Sequence, residues 1–292
     1  MDRWFPKLGR VGATTDRAVC RRAGSTNRGP GRFANHSIRQ GFVPGGVLAA
    51  TVAFTLLGAT SLAPQASASP PDRTPEAGLT GDGGAALALG VLWLVPAAFL
   101  SPASMKGSYT QPNDPSGLWA IDKVAVGPRN MTVSRTSDVV VGGLLAGGAA
   151  YAGLALADPD RRGRGAAVVE SVLLTGAVVE WLKVGVGRDR PYTYDSLDGI
   201  GEDFAHRSFP SGHTAMAVAT ATSLTIGWAR SGFLDSAGGK WATAGVWTAA
   251  VTTASLRVVS SSHFPTDVIT SSAIAVGCAL LVEGAREWTR AK

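Results

Sequence analysis

VVVGGLLAGGAAYAGLALA, residues Val139–Ala157, carries no charged side chain anywhere along its length. As a helix rising 1.5 Å per residue it nearly matches the roughly 30 Å hydrocarbon core of a bilayer. On either side, comparable stretches recur at Ala85–Leu100, Ala166–Leu182, Thr214–Ala229, Trp241–Leu256 and Val268–Val282, with an earlier one at Phe42–Ala63. Charges concentrate between them. Most of the stretches are short for a span and rich in Ala, Gly, Ser and Thr, a composition that lets helix backbones pack closely and hydroxyls bond across. One such stretch fits a buried helix of a soluble protein, but six in succession point to a membrane. The predicted fold is all-α: a multi-pass membrane helical bundle of about six helices.

Net charge is +6, yet the first 41 residues hold nine Lys and Arg against two acids, which is more than the whole excess. The remainder is near neutral, so the basic balance gives no reason to expect nucleic acid as a partner. Residues 1–68 read as a basic leader plus a signal peptide or membrane anchor, with Ala66-Ser67-Ala68 as a small-residue cleavage site. Residues 69–84, rich in Pro, Ala, Ser and Gly, read as a flexible linker, and 85–292 as the bundle. Cys20 and Cys278 show neither a disulfide framework nor metal-ligand spacing. The polar, Pro-containing segment Ser101–Ser137 reads as a loop.

Short loops assign orientation, because Lys and Arg accumulate on the cytoplasmic side. Asp158–Gly165, Arg230–Lys240 and the C-terminal tail carry that excess. Alternation then puts Lys183–Pro210 and Arg257–Thr266 together on the extracytoplasmic face. A cleaved leader combined with a spanning Ala85–Leu100 would invert this arrangement. Either the leader stays and Ala85–Leu100 is not a span, or the leader is not a membrane segment of the mature fold, or Ala85–Leu100 starts inside.

Three polar clusters sit at these boundaries. Lys183 to Arg190-Pro191 puts three cations within eight residues, which taken alone fits side chains snorkelling to lipid head groups. Phe209-Pro210-Ser211-Gly212-His213 leads into an apolar helix, so Ser211 is placed to cap it and the free N–H groups of the first turn form an anion site. Arg257 to His263 to Asp267 precedes the last apolar stretch. Pro265 suits the first helical turn, which brings the Asp267 carboxylate near His263, where it would accept from Nδ1 and leave Nε2 free to attack an electrophile.

Together the clusters resemble the signatures of the phosphatidic acid phosphatase type 2 superfamily, which also includes bacterial acid phosphatases and vanadium haloperoxidases. The first, Lys, six residues, Arg-Pro, is complete from Lys183 to Pro191; the second, Pro-Ser-Gly-His, is complete from Pro210 to His213. The third departs at one position: Leu256 stands where the family has Ser, while Arg257, His263 and Asp267 keep the spacing. That departure puts a local hydrogen bond in question and leaves the reacting groups intact.

The resemblance implies a metal-independent phosphatase that uses no cofactor and acts on a lipid phosphate or diphosphate through a phosphohistidine. Lys183, Arg190, Arg257, Ser211 and Gly212 would clamp the phosphate. His263 would attack phosphorus, Asp267 would orient it, and His213 would protonate the leaving alkoxide. The implied partners are the lipid substrate and the membrane, with no nucleic acid; the implied location is the cell (inner) membrane with the site outside the cytoplasm. A soluble secreted acid phosphatase and a non-catalytic binding or transport bundle are the alternatives. Arg188, Asp189, His206 and Arg207 read as a solvated loop without assigned role. Glu170 and Glu180 need partners inside an apolar segment, and Glu180, one turn before Lys183, is placed to pair with it.

Overall fold

The computed structural model describes residues 79–100, 110–197, 199–200 and 202–291. The leader 1–68, linker residues 69–78 and part of the loop predicted at Ser101–Ser137 lie outside them. Among the described residues seven α-helices follow in order: α1 Leu79–Phe99, α2 Ala120–Lys123, α3 Met131–Ala157, α4 Arg162–Val186, α5 Gly212–Arg230, α6 Ala237–Val259 and α7 Pro265–Arg290. Short 3-10 turns occupy Pro115–Gly117, Pro191–Tyr194, Asp203–His206 and Phe233–Asp235, and there is no strand among the described residues. Each of the six apolar stretches from residue 85 onward forms a helix. Three segments, Met131–Ala157, Arg162–Tyr194 and Pro265–Arg290, are long and apolar enough to cross a membrane.

The helix α5 is the centre of the bundle, packed by α3, α4, α6 and α7. Its run from Ala217 to Ala221 is buried throughout, and the apolar members of that run join Val141, Leu144, Trp247 and Ala275 in one cluster. This position explains its composition. A helix surrounded by protein needs small residues for close approach rather than bulky apolar ones for lipid, and its threonines bond back to their own turn, as Thr220 and Thr225 do. Thr225 Oγ1 also accepts from the Trp247 indole at 3.0 Å, tying α5 to α6. Outward-facing side chains such as Leu87, Leu94, Val139, Leu154, Trp241 and Leu281 are exposed apolar groups, the surface a bilayer would cover.

Against α4 lies α1, where Trp93 rests on Gly176 so closely that a β-carbon there would come 2.6 Å from its ring. Because α1 begins at Leu79, the last six residues of the predicted linker are helical. The predicted loop is also more structured than its composition implied. It contains α2, and α3 starts at Met131, eight residues before the apolar stretch does. Asn130 begins that extra helix by accepting from Val133 N–H at 3.0 Å.

At the end of the bundle that holds the α3–α4 and α5–α6 turns, ion pairs bind the helices. Glu170 of α4 receives both bonds of its carboxylate from Arg286 of α7, at 2.8 Å each, and Arg230 of α5 pairs with Glu283 and Glu287 of α7. The opposite end gathers the C-termini of α4 and α6 and the N-termini of α3, α5 and α7. All three polar clusters lie there.

Candidate active site

The turn after α6 is built by backbone hydrogen bonds that close on Arg257. Ser262 and His263 N–H both donate to the Arg257 carbonyl at 3.1 Å, and Ser261 N–H donates to Val258 at 3.0 Å. Ser261 takes the left-handed conformation, φ 54°, that a helix ending of this kind requires. The chain therefore reverses sharply, and His263 lies buried beside the guanidinium of Arg257.

The His263 Nδ1–H donates to the backbone carbonyl of Ser208 at 2.6 Å. A carbonyl only accepts, so Nδ1 carries the proton and Nε2 keeps its lone pair. Asp267 was expected to fill this role, but its Oδ2 stands 3.7 Å from Nδ1, outside hydrogen-bond range. The reason is competition for the carboxylate. Oδ2 accepts from the Ser208 hydroxyl at 2.6 Å and from Phe264 N–H at 2.9 Å, while Oδ1 accepts from Arg188 at 2.5 Å. Asp267 thus caps α7 and holds Ser208, whose carbonyl in turn holds His263.

Arg188, read from sequence as part of a solvated loop, is built into this support. Its guanidinium spans Asp267 and Asp122 of α2 (2.8 Å), donates to Thr266 Oγ1 (2.8 Å) and lies 4.1 Å over the Phe264 ring. Asp122 also accepts from Thr266 N–H at 3.1 Å. Its neighbours are likewise paired. His206 Nδ1 lies 2.5 Å from Asp189, and Arg207 reaches the Leu100 carbonyl at 2.6 Å and Glu180 at 3.4 Å. The expectation of a solvated loop does not hold for these four residues, because distant elements cover them.

Lys183 ends α4 with its ammonium 2.5 Å from Glu180, the pairing expected from their spacing. That ammonium overhangs the start of α5. A β-carbon on Gly212 would sit 2.8 Å from Lys183 Nζ, so glycine is what admits the cation there. Ser211 stands at the N-cap position, but its hydroxyl meets the Thr214 hydroxyl at 3.0 Å and makes no capping bond to the backbone. The first N–H groups of α5 therefore receive no capping bond from Ser211. Arg190 is anchored by its Nε–H on the Phe204 carbonyl at 2.7 Å.

Arg257 is buried, held by Ser134 Oγ at 3.0 Å and Asp138 Oδ1 at 3.2 Å, with its Nε–H lacking a partner. These contacts from α3 anchor Arg257. The same Asp138 oxygen lies 2.9 Å from Nε2 of His213. Sequence reasoning missed Asp138, Ser134 and Ser208. A signal existed for Asp138: a lone carboxylate directly before an apolar run, at the same boundary as three cationic motifs.

The site gathers cations from α4, the α4–α5 connection and α6 around the α5 N-terminus. Burial first, then the charges of Arg190, Arg257 and Lys183, hold the His263 imidazole well below its ordinary pKa, so it is neutral near pH 7. A neutral imidazole with its lone pair among cations is an arrangement that can carry out nucleophilic attack on a bound anion.

Comparison with known families matches residues 164–289 to the family described as the PAP2 superfamily. No curated protein and no solved structure matches the chain. The matched region contains all eight residues singled out from the motifs, whereas Asp122, Arg129, Ser134 and Asp138 precede it.

Proposed function

We propose, from the match of residues 164–289 to the PAP2 superfamily, that the protein is a metal-independent phosphatase that cleaves a lipid phosphate or diphosphate through a phosphohistidine. At the coarser level the family supports a phosphoric monoester hydrolase, and the three apolar helices fit membrane association. The observation that carries the mechanism is the bond from His263 Nδ1 to the Ser208 carbonyl. It assigns the lone pair to Nε2, the atom that attacks.

The geometry supports the following steps. Lys183, Arg190 and Arg257, with the Ser211 hydroxyl and the Gly212 N–H, hold the phosphoryl oxygens and take up the charge that builds on them. His263 Nε2 bonds to phosphorus as the bond to the leaving oxygen breaks. His213, with Asp138 stabilising its protonated form, gives a proton to that oxygen. Water, deprotonated by His213, then attacks phosphorus; the N–P bond breaks and inorganic phosphate leaves. Asp267 positions His263 through Ser208 rather than by direct contact.

A lipid substrate is supported by the site's position at one end of the bundle, level with the ends of helices whose outer faces are apolar. The extracytoplasmic side of the cell membrane is supported by the basic short loops at the other end. The test is phosphate release by detergent-solubilised full-length protein in excess EDTA, from phosphatidate, phosphatidylglycerol phosphate and a polyprenyl diphosphate. His263→Ala runs alongside, and acid-quenched samples are probed for acid-labile, base-stable label on protein. Label on wild type and none on His263→Ala is the expected result. A folded wild type that releases nothing from any of these or from a soluble ester would favour a binding protein.

A further inference from the structure

Resting on the phosphate clamp just described, we propose that Arg129 is a specificity-determining residue that binds a second phosphate, next to the scissile one, on a diphosphate monoester substrate.

Arg129 lies outside all three motifs, in the turn before α3, yet its neighbour Asn130 is tied to the site. Asn130 N–H donates to the Ser260 carbonyl at 3.2 Å, in the turn that carries His263, while the Asn130 side chain caps α3. The guanidinium lies over Tyr192 at 5.1 Å and over Phe204 at 4.8 Å. Arg190 lies over the same Phe204 ring at 5.8 Å. One aromatic platform therefore carries both a clamp cation and Arg129, and the Arg129 charge acts on Arg190 and Arg257.

Its donors are unspent. The guanidinium makes no hydrogen bond among the described residues, and its buried Nε–H has no partner. The nearest carboxylate oxygen, on half-exposed Glu202, stands 3.7 Å away, a separation at which an ion pair contributes little. With Asp138 on Arg257 and the more distant Glu202 as the carboxylates at hand, a third guanidinium near Arg190 and Arg257 adds to the attraction for a further anion.

The terminal phosphoryl group already has Lys183, Arg190, Arg257, Ser211 and Gly212 for its oxygens. The next acceptors along the substrate belong to whatever follows the bridging oxygen. In a monophosphate that is carbon, with nothing for a guanidinium to bind. In a diphosphate it is a second phosphate with two further oxygens, matched to a planar fork of N–H groups. In the reaction the His263 N–P bond forms, the bridging P–O bond breaks, and its electron pair leaves on the second phosphate, where Arg129 offsets the new charge. Water then releases inorganic phosphate, and the other product is the alcohol's monophosphate.

The test compares methylenediphosphonate with methylphosphonate, neither hydrolysable, binding to detergent-solubilised full-length protein by calorimetry. In parallel it compares kcat/KM on farnesyl diphosphate and farnesyl monophosphate. Arg129→Gln is expected to weaken the diphosphonate about 10- to 100-fold, the loss of a charge-assisted bond, and the monophosphonate less than about threefold. Arg129→Lys, which keeps the charge without the fork, is expected to fall between, and Glu202→Gln to bind the diphosphonate at least as tightly as wild type. Equal losses on both ligands, or none on either, in folded Arg129→Gln and Arg129→Lys would overturn the proposal while leaving the phosphatase reading intact. A wild type that binds neither phosphonate and hydrolyses neither ester would overturn both.

Discussion

The carboxylate of Asp267 and the imidazole of His263 are four residues apart and do not bond; Ser208 stands between them, its hydroxyl on the acid and its carbonyl 2.6 Å from Nδ1. Asp267 therefore reaches the imidazole only by holding a backbone carbonyl in place. Asp267→Asn is expected to lower kcat about 10- to 100-fold, whereas His263→Ala abolishes turnover and phosphoenzyme formation together. Single-turnover kinetics with the trapped intermediate separates the two. An Asp267→Asn variant as inactive as His263→Ala would mean that the carboxylate touches the imidazole during the reaction.

The same arrangement makes Arg188 a support of the fold. Removing it strands two buried carboxylates, Asp122 and Asp267, near each other. Arg188→Leu is expected to cost about 3–5 kcal/mol, the usual loss when one partner of a buried pair is deleted. Denaturant unfolding in detergent measures it, and a loss under about 1 kcal/mol would show that water screens the pair.

Burial and three neighbouring cations hold His263 neutral, and the sign of the pH effect follows. Its folded pKa lies below the unfolded value of about 6.5. As pH falls from about 6.5 toward the folded pKa, the unfolded chain takes up a proton that the folded chain does not, so stability falls across that window. The ring ¹⁵N shifts of labelled, substrate-free protein are expected to remain those of a neutral imidazole protonated on Nδ1 at a pH of about 6.5. An imidazolium signal for His263 at that pH would contradict the electrostatics.

At Gly212 the cost of a methyl group falls on catalysis. The added carbon meets the tip of Lys183, a flexible side chain that swings aside, and alanine is favoured in a helix by up to about 1 kcal/mol. Gly212→Ala is expected to keep its thermal midpoint and to lose about 10- to 100-fold in kcat/KM, because a clamp cation is displaced. Unchanged kcat/KM would remove Lys183 from the clamp.

Asp138 joins the two sides of the site, since its carboxylate lies within 2.9 Å of His213 and accepts from Arg257 at 3.2 Å. Asp138→Asn removes the charge that favours protonated His213. An alkyl phosphate, whose leaving oxygen needs a proton, is expected to lose about 100-fold in kcat, the range of general acid catalysis. A nitrophenyl phosphate, with a good leaving group, is expected to lose much less. Equal losses would assign Asp138 to holding Arg257 alone.

Much of this was legible in the chain itself. Apolar runs and the positions of Pro265 and Ser211 located the six long helices, and motif spacing singled out eight residues that the fold brings to one end of the bundle. Glu180 and Lys183 meet because three residues make one helical turn. What periodicity could not supply were partners contributed by other elements: Glu170 finds Arg286 at a separation of 116 residues, and Arg188 finds Asp122 at 66.

The helices, the boundary on which the chemistry collects and the identity of the motif residues are all written along the chain, because helical period, charge placement and short spacings are local properties. Who holds whom was settled by the packing of distant elements. Which acceptor lies within about 3 Å of His263 Nδ1 depends on how the α4–α5 connection settles against the α7 N-terminus. There the Ser208 carbonyl, 55 residues away, accepts the Nδ1–H bond, while the nearby Asp267 is occupied by Arg188, Ser208 and its own helix end.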